Sequence, residues 1–310
     1  MAPSAVVIEV GARHVSFGIA DDPRPLCVLD TASFSRDQQF SVPPNNYSDH
    51  ENTALCTFSY LFHPNLLDYE PGTGSGSFEH ALNVQLFDIF HHLFTTYKID
   101  SVNANIVLVA NSMLNNTYKT AVTFQLLEKL HAKSTLFLDD ALMTLVAAGL
   151  RTGLVVDLGW HFVTISPVFD LRLLQNHAKW SKRAAKYLYF KTDPLSLESI
   201  DIDQLFTVDE NCYDTDEKTP SQLLIELHRE LPIDLRKPLF ENIVFTGGLA
   251  ENQTVVDKIV ADLKSAKIHT ETAFSLGSWQ GASLYTATVL AKDGNWNTLD
   301  RIKRENYITP

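Results

Sequence analysis

The stretch Val6-Val7-Ile8-Glu9-Val10-Gly11 returns 148 residues later as Leu154-Val155-Val156-Asp157-Leu158-Gly159, an offset of nearly half of a 310-residue chain. Val15-Ser16-Phe17 answers Val163-Thr164-Ile165 at the same offset. Each copy reads as a buried strand, an acid near its end, a glycine turn and a second strand returning antiparallel. One such copy is explained by a hairpin turn alone. Recurrence at half length predicts a duplicated fold whose turns do the same job twice. A turn after a strand aims backbone N–H groups at a phosphate, and a carboxylate at the strand end holds a hydrated divalent cation. Two facing copies would clamp a nucleotide.

A third element, Asn242-Ile243-Val244-Phe245-Thr246-Gly247-Gly248, is again a buried strand ending in glycine, and Thr254 to Ser265 follow with apolar residues at helical spacing. The paired glycines allow close backbone approach to a flat ligand. Between the hairpins, Leu82, Leu86, Ile89, Phe90, Leu93, Phe94 and Tyr97 mark an amphipathic helix and Asn105 to Val109 a buried strand. Asn116 or Thr117 caps a helix to about Leu130. Ser134 to Leu138 reads as a strand, with Asp139 capping a short helix that ends at Gly149. The pattern is α/β in two related halves, 1–150 and 151–310.

Two segments break it. Residues 36–80 are rich in Asn, Ser, Pro and Gly and read as an irregular insertion. Residues 171–191 are basic, with Lys179, Lys182 and Arg183 at their centre, and an acidic stretch follows through Glu217. A solvated helix beside a solvated loop accounts for this; the sharper reading is a docking surface for a partner protein.

Composition narrows the function. Twenty-five Lys and Arg against 37 Asp and Glu give a formal net charge of −12, which disfavours nucleic acid and anionic membranes as partners. Cys27, Cys56 and Cys212 lie far apart, so neither a disulfide framework nor a zinc site is expected. His91 and His92 are not read as metal ligands. No secretory signal or membrane span is read, and an intracellular location is expected.

The two hairpins and the later glycine pair, in this order, resemble the actin and actin-related family. Leu136 to Pro167 is similar to its central strand, helix and second phosphate hairpin, and Ser278-Trp279-Gln280-Gly281-Ala282-Ser283 to its last tryptophan-glycine helix. The resemblance implies an actin-like fold of the actin, hexokinase and heat-shock ATPase superfamily. The chain is too short for two full outer subdomains, so 36–80 and 171–219 are expected to be reduced or rebuilt. It places Gly11, Asp157, Gly159, Gly247 and Gly248 in a vestigial nucleotide cleft, with ATP or ADP as a structural ligand at most.

Where the family carries its phosphate-binding lysine this chain has Ser16, and where it carries its water-positioning glutamine, Asp140. Arg13 stands at a small-residue position of the first turn, and Trp160 and His161 at a small acid and a glycine of the second. Leu249 follows the glycine pair, and the base-contacting lysines have no clear match. Hydrolysis needs a placed water, a metal and a stabilised phosphate together, so no catalytic residue and no enzymatic activity are expected.

Pro167-Val168-Phe169-Asp170-Leu171-Arg172, the run Lys179 to Arg183 and Leu231 to Leu239 look most like the short fungal branch of the family at the pointed end of dynactin. That implies a filament-capping subunit among dynactin's actin-related filament and shoulder subunits, in the cytoplasmic cytoskeleton. It would act through dynein in transport, nuclear migration and spindle positioning. The rival expectations are an actin-related subunit of a nuclear chromatin-remodelling complex and a small-molecule kinase of the same superfamily.

Overall fold

The computed structural model describes residues 5–31, 76–111, 116–191, 202–207, 217–290 and 301–307. Most of the insertion at 36–80 therefore lies outside the described residues, as does most of the acidic stretch. Residues 76–80, expected to be irregular, instead open the first helix.

The chain forms two compact units, Met1–Asp140 with Ala282–Pro310, and Ala141–Gly281. The division thus falls at Asp140/Ala141 rather than at 150/151, and the C-terminal segment returns to the first unit.

In the first unit, β1 (Ala5–Val10), β2 (His14–Ile19) and β3 (Cys27–Asp30) form an antiparallel meander. After α1 (Gly76–Thr96), β4 (Asn105–Ala110) pairs parallel with β1. Next, α2 (Asn116–Phe124) runs into a π-helical turn, Gln125–Lys129, and leads to β5 (Ser134–Asp139), parallel to β4. The C-terminal β11 (Ile302–Lys303) closes the far edge, antiparallel to β5. The six-stranded order is β11-β5-β4-β1-β2-β3. Leu86, Ile89, Phe90 and Leu93 of α1 recur every three or four residues on one face, and all are fully buried with Ile8, Phe17 and Ile106. Tyr97, read as the last residue of that stripe, lies just beyond the helix, where it meets Phe17 at 5.9 Å between ring centroids.

The second unit repeats this plan. After α3 (Asp140–Ala147) come β6 (Gly153–Leu158), β7 (Val163–Phe169), β8 (Arg172–Leu173) and β9 (Lys179–Ser181), all antiparallel along β7. Then α4 (Ala185–Lys191), α5 (Pro220–Glu230) and α6 (Ile233–Phe240) lead to β10 (Ile243–Thr246), parallel to β6. Helix α7 (Gln253–Ser265) follows, and α8 (Ser278–Tyr285) begins in this unit and continues into the segment that belongs to the first. Leu154, Val156, Ile165, Leu224, Phe240 and Ile259 belong to this unit's main core.

The duplication extends into the register. Ile8 pairs with Phe17 and Val156 with Ile165, the same pair moved by 148 residues. Val6 faces Ile106 across the parallel ladder, and Leu154 faces Ile243. Ile106 then faces Thr135, and Ile243 bridges in parallel to Thr272, two pairs offset by 137. On the outer side, Cys27 pairs with Phe17 and Lys179 with Ile165, so β9 is the counterpart of β3. Lys179 to Ser181, read from sequence as part of a rebuilt outer region, belong to the repeated sheet.

Candidate functional site

The tip of the first hairpin is short because Gly11 N–H donates to the carbonyl of His14 at 2.9 Å, closing a tight turn. A β-carbon on Gly11 would lie 2.9 Å from that same oxygen, so only glycine fits without displacing the turn. Glu9 faces Ser16 across the ladder. Two carbonyls of the tip are taken by one residue: Thr31 Oγ1 donates to Ala12 O at 2.9 Å, and Thr31 N–H to Arg13 O at 2.8 Å. Thr31 is fully buried. Arg13 turns toward β3, its Nε 3.5 Å from Asp30 Oδ2.

The second hairpin has the same closure, Gly159 N–H to Phe162 O at 3.1 Å, with Asp157 facing Thr164. Its tip carbonyls are also occupied: Ala185 N–H donates to Gly159 O at 3.2 Å and Lys186 N–H to Trp160 O at 2.8 Å. Gly247, at φ +89, packs directly on this strand end. A β-carbon there would stand 2.3 Å from Asp157 Oδ1 and 2.6 Å from Leu158 O. Asp157, Gly159 and Gly247 are therefore brought together in one unit. Gly248 follows with open space around its α-carbon. Gly11 belongs to the other unit.

Ser16 provides no cation, Arg13 is engaged by Asp30, and the tip and its strands carry two carboxylates, Glu9 and Asp30, against that single guanidinium. The second hairpin retains its glycine contacts but carries Trp160 at the tip. Among the described residues no cluster of three His, Cys, Asp or Glu side chains is arranged to hold a metal ion.

The basic segment corrects a sequence expectation. Arg183, expected on a docking surface with Lys179 and Lys182, is 1% exposed. Its Nη1 donates to Thr207 O at 2.6 Å and its guanidinium lies 5.3 Å from the Tyr187 ring centroid. A guanidinium can bury its stem when a carbonyl and an aromatic face receive the head. Lys179 pairs with Glu230 at 2.6 Å, and the main-chain N–H of Lys182 donates to Glu217 at 3.0 Å. Ser181 Oγ lies 3.0 Å from the same carboxylate oxygen. Beside them, Lys218 holds the Glu226 carboxyl below its usual range. Of the three basic residues, Lys179 is thus ion-paired and Arg183 buried within this unit.

Asp30 and Thr31 escaped the sequence reading, and Glu217 was read only as part of the acidic stretch, because each acts on a residue 17 to 36 positions away and sits in no local motif.

Two sheets built from one repeated hairpin-and-crossover plan, each with a glycine-closed tip behind an acid, define an actin-like protein. The sequence profile of the family described as Actin matches residues 2–222, and the chain belongs to that family. It is similar to Actin-like protein ARP10 of Saccharomyces cerevisiae, 26% identical over 240 residues, which is 76% of this chain and 82% of that protein.

Proposed function

We propose that this chain is a non-catalytic actin-related subunit of dynactin that binds and caps the pointed end of the actin-related filament. Through dynein it would support transport, nuclear migration and spindle positioning from the cytoplasmic cytoskeleton. The observation that carries the reading is the likeness to ARP10 across most of both chains, joined to the resemblance of Pro167–Arg172 and Leu231–Leu239 to the pointed-end branch.

The cap works by subtraction. A heterologous interface extends only when both complementary faces are present, so a subunit that keeps one face and alters the other ends the filament. Ser16 and Arg13 in the first hairpin, where the family carries a lysine and a small residue, support a subunit that contributes surface rather than hydrolysis. Among the described residues no helix is long and apolar enough to cross a membrane, which is compatible with this placement. Arg183 is withdrawn from the partner surface by its burial.

Affinity purification of the tagged protein from its native cells, with mass spectrometry of the recovered subunits, tests the reading. Dynactin filament and shoulder subunits are expected; recovery of chromatin-remodeller subunits, or of none, overturns it.

A further inference from the structure

We propose that one end of the first unit binds an acidic segment of a partner protein, with an apolar side chain of that segment seated in a pocket beside the C-terminal end of α1. The inference rests on this unit alone and does not depend on the dynactin reading.

Three segments build this end: 97–104 before β4, 128–133 before β5, and 301–306 around β11. Hydrogen bonds to main-chain carbonyls hold them together. Lys133 N–H donates to Ala104 O at 3.0 Å, Ser101 Oγ to Leu130 O at 2.8 Å, and Arg304 N–H to Lys133 O at 3.2 Å. A pocket of about 400 Å³ opens here. Phe94 and Leu130 are buried and Ile99 half-buried, which gives it an apolar lining, whereas His91, Thr95 and Lys98 are exposed at its margin. Both the volume and this mixture of apolar lining and few polar groups are those of ligand sites. Tyr97, Val102 and Ile302 of the same segments are exposed, and they extend the apolar surface beyond the pocket.

Charge selects the occupant. The chain as a whole has a formal net charge of −12, yet in these segments Lys98, Lys129, Lys133, Arg301, Lys303 and Arg304 stand against only Asp100, Glu128 and Glu305. Two of those carboxylates are already engaged. Asp100 accepts from Val102 N–H at 3.0 Å and from Asn103 Nδ2 at 2.6 Å, and Glu305 lies 3.7 Å from Lys303. Lys98, Lys129 and Lys133 are exposed and form no ion pair among the described residues. The carbonyls of Leu93, Phe94 and Thr95 at the end of α1, which would repel an anion, are closed by the N–H groups of Tyr97, Ile99 and Lys98. Lys98 itself sits at φ +53, a left-handed position where glycine is usual, so a strained backbone carries a cation to the margin of the pocket. An acidic peptide with one apolar anchor uses both the charge and the pocket. A lipid surface or a nucleic-acid backbone uses only the charge.

The test measures fluorescence anisotropy of a fluorescein-labelled peptide, in which glutamates flank a single phenylalanine, titrated with the full-length chain. The peptide is expected to bind, and to bind more weakly as salt rises. Lys98→Glu, and Lys129→Glu at the same end, are each expected to weaken it about tenfold, as is replacing the phenylalanine of the peptide by glycine. Lys264→Glu, on α7 of the second unit, is expected to bind like the parent. Thermal melts establish that the variants are folded; should one not fold, the glycine peptide on the parent chain decides. No binding of the peptide, undiminished binding by Lys98→Glu and Lys129→Glu, equal binding of the glycine peptide, or an equal loss in Lys264→Glu overturns the proposal. Binding of phosphatidylserine vesicles without binding of the peptide overturns it as well.

Discussion

A β-carbon placed on Gly281 would stand 1.8 Å from the carbonyl oxygen of Met143. At Gly281, α8 therefore lies directly against the main chain of α3. Trp279, 2% exposed, packs just before this contact.

Backbone cannot yield as a flexible side chain can, so Gly281→Ala is expected to cost about 3 kcal/mol or more, the upper end of overpacking effects. Gly247→Ala should be as harmful, since it adds a contact of 2.3 Å with Asp157 to a φ of +89. Gly248→Ala, with nothing within 4 Å, should stay within about 0.5 kcal/mol of the parent. Thermal melts of the three variants check the order; a stable Gly281→Ala chain would contradict the packing described.

Arg183→Glu puts a carboxylate where a guanidinium meets Thr207 O and Tyr187. Reversing a buried charge of this kind is expected to destabilise by about 3–5 kcal/mol. Arg183→Met keeps the stem and should fall between parent and Glu. Denaturant unfolding separates them, and equal midpoints for Arg183→Glu and parent would restore the residue to the surface.

Leu86 and Ile89 are fully buried in the first core. Leu86→Asp or Ile89→Asp should exceed the roughly 2–5 kcal/mol of a truncation to Ala, because an unpaired charge is added to the lost packing. Loss of soluble protein, or of cooperative melting, is the expected readout.

His228 packs edge-on to Phe240 at 4.9 Å between centroids, and burial, with the Arg236 charge behind it, lowers its pKa from the ordinary 6.5. The folded state therefore favours the neutral ring. Its contribution is intact above 6.5, and is lost as the pH falls from there toward the depressed folded value, where the unfolded chain binds the proton first. Melting temperature should decline over that window in the parent and decline less in His228→Gln. Identical pH profiles for the two would remove His228 from the account.

The hairpins, the glycine pair and the helix bearing Leu86 were legible because each writes its period into six or more consecutive residues. The strands β3 and β9 were not. Four and three residues long, with mixed exposure, they are too short for alternation to show, and their membership in the sheet is decided by pairing with β2 and β7. The burial of Arg183 was illegible for a related reason. Its partner, Thr207, lies 24 residues on, and nothing local marks a lysine-and-arginine run as turning inward. At the candidate site, sequence placed Gly11, Asp157 and Gly159 at their turns, whereas the hold of Thr31 on the first tip is purely tertiary.

Because β11 pairs with β5 and Arg304 N–H donates to Lys133 O at 3.2 Å, the first sheet receives its outermost strand from residues that follow the whole second unit in sequence. During synthesis the ribosome therefore delivers every residue of the second unit before the first can be finished. The half that starts first is completed after the second, and its strand edge beside β5 stays open until residues 302–303 have been made.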